Sequence, residues 1–334
     1  MSRLRYLAKR SVVTLGLLFG IASALFFFFK AIPGDYATLI ARSGASAEQL
    51  AALRARWGLD QPLHIQYYQF LVNMLTGNVG QSRRLGVPVW ELVKPRLMNS
   101  FILVAPAIII AYAVGSLYGA LMGNESGTLL EKYGSIPPTA VGTMPNFFIG
   151  IVLIFFFSSM VPLFPSYGMV SSETYQEIGN NLPHYRLYLT TDFLWHYMLP
   201  FSTIVLQFLY LPSLIMRSSI IDTREQEFAY FYRLTGLSKY RRTGHLIKHA
   251  SFPVITLFPV SLARAISGLV LVEVVFNWPG IGKLLVTSVL SRDIPVVQFV
   301  FLLVAVWIVL GNFAIDILYG LIDPRVAGGS DSTE

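Results

Sequence analysis

The sequence predicts an all-α polytopic membrane protein with six transmembrane helices and a small helical cap in the first outer loop. Three observations carry that prediction. Apolar residues make up 54% of the 334-residue chain and charged residues only 13%, a balance that suits lipid as the main solvent. Charge-free stretches recur that are long enough, as helices, to cross about 30 Å of hydrocarbon. Lys and Arg gather in alternate loops between those stretches, which sets an orientation.

The first ten residues carry four basic side chains, and residues 11–29 follow without a charge. Ala22-Ser23-Ala24 resembles a signal-peptide cleavage site. The apolar run nevertheless continues through Phe26, Phe27, Phe28 and Phe29 and further spans follow, so an uncleaved anchor is the better reading. The remaining spans are expected at 99–123, 135–161, 193–216, 252–273 and 294–319, the last two holding the interior ionisable residues Arg264 and Asp316. Six spans leave both termini on one side. With the long first loop discounted, the opposite side has only Arg186, Lys283 and Arg292 as basic residues, so both termini are expected in the cytoplasm. The chain then divides into a cytoplasmic amino end with the first span (1–30), an outer helical cap (31–98), a transmembrane core (99–321) with a cytoplasmic loop at 217–250, and a tail (322–334) expected to be disordered.

The first outer loop is too long for a simple connection and has helix signals of its own. Ser46 followed by Gln49 makes a capping box; Leu50, Leu53 and Trp57 then share a face until Gly58 ends the helix. A second amphipathic set, Ile65, Tyr68, Val72 and Leu75, ends at Gly77. Structural cover is favoured over substrate chemistry, because the set holds no cluster of His, Asp or Glu.

Several function classes are excluded or disfavoured. The net charge of +7 is spread over separate loops rather than one patch, which argues for membrane orientation and against nucleic acid. The chain has no Cys, hence no disulfide framework and no thiolate chemistry. The nearest string to a Walker loop, GIGKL from Gly280, lacks both its spacing and its Ser/Thr, and HExxH, GxSxG and GxGxxG are absent. His64, His184, His196, His245 and His249 are scattered; the last two are spaced as a helical pair but sit in a basic loop, where solvation is the ordinary state. No catalytic, cofactor-binding or metal-ligating residue is therefore expected.

The densest polar segment between two spans is 222–250. Residues 222–235 read as one helix with Phe228, Phe231, Tyr232 and Thr235 on one stripe and Asp222, Glu225 and Arg233 elsewhere. Gly236 fits a left-handed cap, and Ser238 can cap a second helix bearing Lys239, Arg241, Arg242 and Lys248. A tethered helix pair with an aromatic anchor can pass motion from a cytosolic partner into the bilayer; on pattern alone, an interfacial loop that holds anionic lipid headgroups fits equally well. A DNA-binding helix-turn-helix does not suit a segment tied to the membrane at both ends.

Strings along nearly the whole chain resemble the permease subunits of bacterial ABC importers of the dipeptide/oligopeptide/nickel family, the subunit type with a long first periplasmic loop. They are IPGD at 32–35, GLDQPL at 58–63 with QYY at 66–68, GNVGQS at 77–82, HYMLP at 196–200, RSS at 217–219, TGLS at 235–238, EVVFNWPGIG at 273–282, RDIPVVQ at 292–298 and NFAIDILYGLIDPR at 312–325. The resemblance implies a type I ABC importer permease in a bacterial inner (plasma) membrane, forming half of a translocation pathway. Its partners would be a second homologous permease, two cytosolic ATPases that hold the ATP and Mg, and a periplasmic or lipid-anchored substrate-binding protein. It also implies that Glu227, Phe228, Phe231, Tyr232, Arg233, Gly236, Leu237 and Ser238 couple to an ATPase. The family's cytosolic signature has small residues six to four positions before the Gly; here Tyr230, Phe231 and Tyr232 stand there, which implies either less close packing on the ATPase or a matching wider pocket in it.

Arg264 is the outlier within the bilayer. An Arg at a span centre costs on the order of 3 kcal/mol on insertion scales, so it should face water or a partner. It could attract a substrate carboxylate; a structural or gating pair, for example with Asp316, is favoured. Asn312 and Asp316 read as interhelical hydrogen-bonding positions. Glu273, Trp278, Pro279 and Gly280 stand where the fifth span meets the outer surface and are expected at the outer gate. Competing readings are a secondary transporter or channel using Arg264 and Asp316, a lipid-binding scaffold, and a permease of the same family for oligosaccharides, opines or nickel chelates.

Overall fold

The computed structural model describes residues 3–32, 46–56, 58–125, 127–179, 184–234 and 236–322. Expectations on 33–35, Trp57, Thr235 and the tail from 323 fall outside the described residues, as do the side chains of Leu53, Arg233 and Asp316. The regular elements that are described are helical, apart from an isolated bridge between Gln81 and Pro88. The chain forms two compact units, Met1–Leu97 with Leu284–Glu334, and Met98–Lys283.

In the first unit, α1 (Arg3–Ala31) lies along α15 (Ile294–Ile322). The segment after α1 folds as α2 (Ala47–Arg56) and α3 (Leu63–Thr76), with the anticipated signals in place. The Ser46 N–H donates to Gln49 Oε1 at 3.0 Å and the Gln49 N–H returns to Ser46 Oγ at 3.2 Å, a reciprocal capping box. Gly77 caps α3 at φ 73°. The packed face of α3 is not the expected one: Tyr68, Val72 and Leu75 are exposed, while Tyr67 and Phe70 meet Phe26 of α1 with ring centroids 5.2 and 5.3 Å apart. The Tyr67 hydroxyl also bonds that of Ser23 at 2.6 Å. Aromatic area and a polar handle on Tyr67 outweigh the aliphatic stripe.

The second unit takes most of α4 (Val89–Asn124), then α5 (Leu129–Tyr133), α6 (Ile136–Thr143) and α7 (Asn146–Ile154), whose last turn widens to a π-turn at Phe155–Met160. The span expected at 135–161 is not straight: its halves are bent by 98°. Met144 is extended (ψ 146°) because the following Pro145 disfavours the helical region, so the chain turns between α6 and α7. After α8 (Ser172–Gly179), α9 (Thr191–Phe208) and α10 (Tyr210–Arg224) make one long apolar segment. Then come α11 (Glu227–Leu234), α12 (Lys239–Ala250), α13 (Phe252–Val275) and the start of α14 (Ile281–Leu290). Among the described residues four helices are long and apolar enough to span a membrane, five if the bent pair counts as one span, and α13 at 24 residues stands at the remaining expected position.

Gly115, Gly119 and Gly123 bring α4 against α10. A Cβ at Gly115 would come within 2.6 Å of the Leu209 carbonyl, one at Gly123 within 2.8 Å of the Arg217 carbonyl, and one at Gly119 would overlap the Ser213 carbonyl. This is the small-residue spacing that lets membrane helices approach backbone to backbone.

Candidate functional site

The segment 222–250 forms three helical pieces rather than two. The helix through Asp222 belongs to α10, which runs to Arg224; Glu225 and Gln226 break it, and α11 begins at Glu227. The left-handed Gly236 (φ 70°) joins α11 to α12. Ser238 takes the N-cap conformation (φ −58°, ψ 150°) without a side-chain capping bond. Ser251 ends α12 and starts α13 in helical geometry, so the loop passes directly into the 24-residue helix α13.

The expected aromatic stripe is divided. Phe228 meets the His249 ring at 4.6 Å and Tyr232 meets His245 at 5.1 Å, so an i,i+4 pair on α11 sits on an i,i+4 pair on α12. Ala229 and Leu246 are buried beside them. Phe231 is instead 62% exposed, with Tyr230 at 61% and Leu234 at 66%. At about 100° per residue Phe231 stands roughly 60° around the axis from Phe228 and roughly 100° from Tyr232, so α12 covers the Phe228/Tyr232 edge of the stripe and leaves Phe231 outside it. Glu227, Gly236 and Ser238 are exposed and Leu237 is partly so. The two His residues serve as packing surfaces, and no group of three metal-ligating residues occurs among the described residues. Chemically the arrangement is a braced helix pair with an outward apolar edge.

The turn after α13 is a closed knot. Glu273 is 0% exposed; its carboxylate accepts from Ser100 Oγ at 2.5 Å and from the N–H groups of Gly282 at 2.8 Å and Lys283 at 3.0 Å, at the start of α14. Ser100 Oγ in turn accepts from the Ile281 N–H at 2.9 Å. Trp278, also 0% exposed, donates to the Asn99 carbonyl at 3.2 Å, and Asn99 Nδ2 donates to the Pro279 carbonyl at 2.8 Å. Tyr188 donates to Asn99 Oδ1 at 2.6 Å, and burial pushes its phenol above the ordinary tyrosine pKa. Gly280 is obligatory here, since a Cβ would overlap the Glu273 carboxylate. Glu273 and Trp278, expected to line an outer gate, are thus enclosed by protein in this conformation; Pro279 is partly exposed.

Arg264 is exposed on the surface of its unit, on a stripe of α13 that also carries Val260, Leu271 and Val274. Beside it the hydroxyls of Tyr112 and Ser261 bond at 2.5 Å. The pairing expected with Asp316 lies outside the described side chains, and Asn312 is exposed.

Residues 115–328 match the family model described as binding-protein-dependent transport system inner membrane component, and residues 3–90 match the model for the amino-terminal part of such membrane components. An oligopeptide transport system permease protein of Bacillus subtilis is 32% identical over 324 residues, covering 96% of this chain and 98% of the relative. A dipeptide transport system permease protein of Escherichia coli K12 is 32% identical over 342 residues, covering 97% and 98%. A glutathione transport system permease protein of Salmonella paratyphi A is 30% identical over 324 residues, covering 97% and 99%.

Proposed function

The chain belongs to the family of binding-protein-dependent transport system inner membrane components, and from that membership we propose that it forms half of the translocation pathway for peptides or similar small polar solutes. It is a multi-pass inner-membrane permease subunit of an ABC transporter and not an enzyme. The peptide assignment draws on the relatives, which are named for oligopeptide, dipeptide and glutathione transport. The basic residues of the amino end and of 222–250 support a cytoplasmic placement for both termini. The helices α2 and α3 would then form an outer cap.

The observation that carries the coupling reading is the division of the aromatics of α11. Phe228 and Tyr232 brace it on α12, leaving Tyr230, Phe231 and Leu234 as an apolar edge for a cytosolic ATPase. The energy source would be ATP and Mg held by two such ATPases, with a second permease and a substrate-binding protein completing the transporter. A push on α11 reaches the bilayer because α12 packs on α10 and passes through Ser251 into α13, which carries Arg264. That rocking would switch the paired permeases between inward- and outward-facing states. Arg264 faces the pathway or the second permease, since an exposed Arg on a span is costly against lipid.

The test is copurification with the ATPases combined with uptake of a labelled dipeptide. Phe231→Ala with Leu234→Ala should uncouple uptake from ATP while leaving the chain folded; undiminished ATPase binding and uptake in that variant would count against the coupling edge.

A further inference from the structure

An open cavity of about 570 Å³ lies in the first unit, where the end of α1, one face of α3 and the start of α15 meet. Two membrane helices reach it at their ends. Lys30 is the penultimate residue of the apolar span Ala8–Ala31, and Ile294 begins the span Ile294–Phe313. The mouth of the cavity therefore stands at headgroup depth rather than in the hydrocarbon or out in water.

Its lining is amphipathic in one direction. Lys30, Arg54 of α2 and Arg83 supply three cations, and no carboxylate is among the described residues that line it. Gln69, Asn73 and Gln298 add carboxamide donors. Gln66 is spoken for: its amide donates to the Gln61 carbonyl at 2.6 Å and its oxygen accepts from the Lys30 ammonium, which fixes that ammonium at the wall. Phe26, Phe29, Phe70 and Phe299 form the apolar side. A polar solute would lay its charge among the cations but meet aromatic rings with the rest of its surface. A molecule with an anionic head and a hydrocarbon tail satisfies both sides.

We propose that this cavity is a binding site for an anionic phospholipid of the outer leaflet. Its phosphate sits among Lys30, Arg54 and Arg83 and its acyl chains run down past Phe29 and Phe299. Bound there, the lipid ties the outer helices α2 and α3 to the two spans α1 and α15. The site is independent of the coupling edge on α11, while its leaflet rests on the cytoplasmic placement of the termini proposed above.

The full chain, purified with its partner subunits in detergent and stripped of endogenous lipid, is probed by native mass spectrometry. The probes are phosphatidylglycerol, phosphatidylcholine of the same chain length, inorganic phosphate and a tripeptide. Retention of phosphatidylglycerol over phosphatidylcholine is expected, and Lys30→Gln with Arg54→Gln should weaken it by about tenfold or more. The charge-keeping pair Lys30→Arg with Arg54→Lys should retain it, and Lys94→Gln with Lys132→Gln, outside the cavity, should leave it unchanged. Equal binding of the two lipids, wild-type retention in the glutamine pair, or displacement of phosphatidylglycerol by phosphate or the tripeptide would overturn the proposal.

Discussion

The hydroxyl of Ser100 donates to the carboxylate of Glu273 at 2.5 Å, and this contact, with those of Asn99 to Trp278 and Pro279, ties α4 to the turn that follows α13. Glu273 spends its other oxygen on two N–H groups at the start of α14, where the helix end carries partial positive charge. Three donors hold the buried carboxylate and offset much of the cost of its burial.

Replacing Glu273 by Gln keeps the shape but turns an amide toward backbone donors. We expect a stability loss of about 1–3 kcal/mol, read as a lower melting temperature of the purified transporter. Gly280→Ala should be at least as damaging, because its methyl group and the Glu273 carboxylate claim the same space. Wild-type melting of both variants would mean that the knot is not a stabilising element.

The glycines of α4 and α12 make a contrasting pair. Gly119→Ala drives a Cβ into the Ser213 carbonyl and should separate α4 from α10, lowering the yield of folded protein. Gly244→Ala meets nothing within 4 Å and should be neutral or gain about 0.5–1 kcal/mol from helix propensity. Thermal melts of the two variants side by side measure the difference.

Asp293 accepts from the Ser82 hydroxyl and from the Arg83 N–H at 3.0 Å, and so holds the turn at 82–86. In Asp293→Ala that turn should loosen, and limited trypsin digestion should cut at Arg83 or Arg84 faster than in the wild type. Equal cleavage rates would show that the turn is held by other contacts.

Arg264→Ala should slow dipeptide uptake without loss of assembly with the partner subunits. Normal uptake in that variant would remove Arg264 from the pathway.

Much of this was legible in the sequence where the determinant is local. The Ser46/Gln49 capping box and the left-handed caps at Gly77 and Gly236 follow from residues within one turn of each other. The bend at Met144-Pro145 was written in the proline but hidden inside a long charge-free run, since hydropathy registers length and not direction. The spacing of Gly115, Gly119 and Gly123 was equally present; reading it as a contact face requires knowing that α10 lies opposite. Which rings of α11 face α12 could not be read from α11 alone, because the partner imidazoles come from His245 and His249. Glu273 looked like a surface residue at a span end, and its burial depends on Ser100, 173 positions away.

The measurement closest to the coupling proposal is ATP-driven uptake of a labelled dipeptide into proteoliposomes that hold this chain with its partner subunits and a substrate-binding protein. Uptake should require ATP, and Phe231→Ala with Leu234→Ala should abolish it while the ATPases still hydrolyse ATP and the melting temperature stays at the wild-type value. Uptake that continues without ATP and follows an ion gradient, or that survives the loss of both side chains, would contradict it.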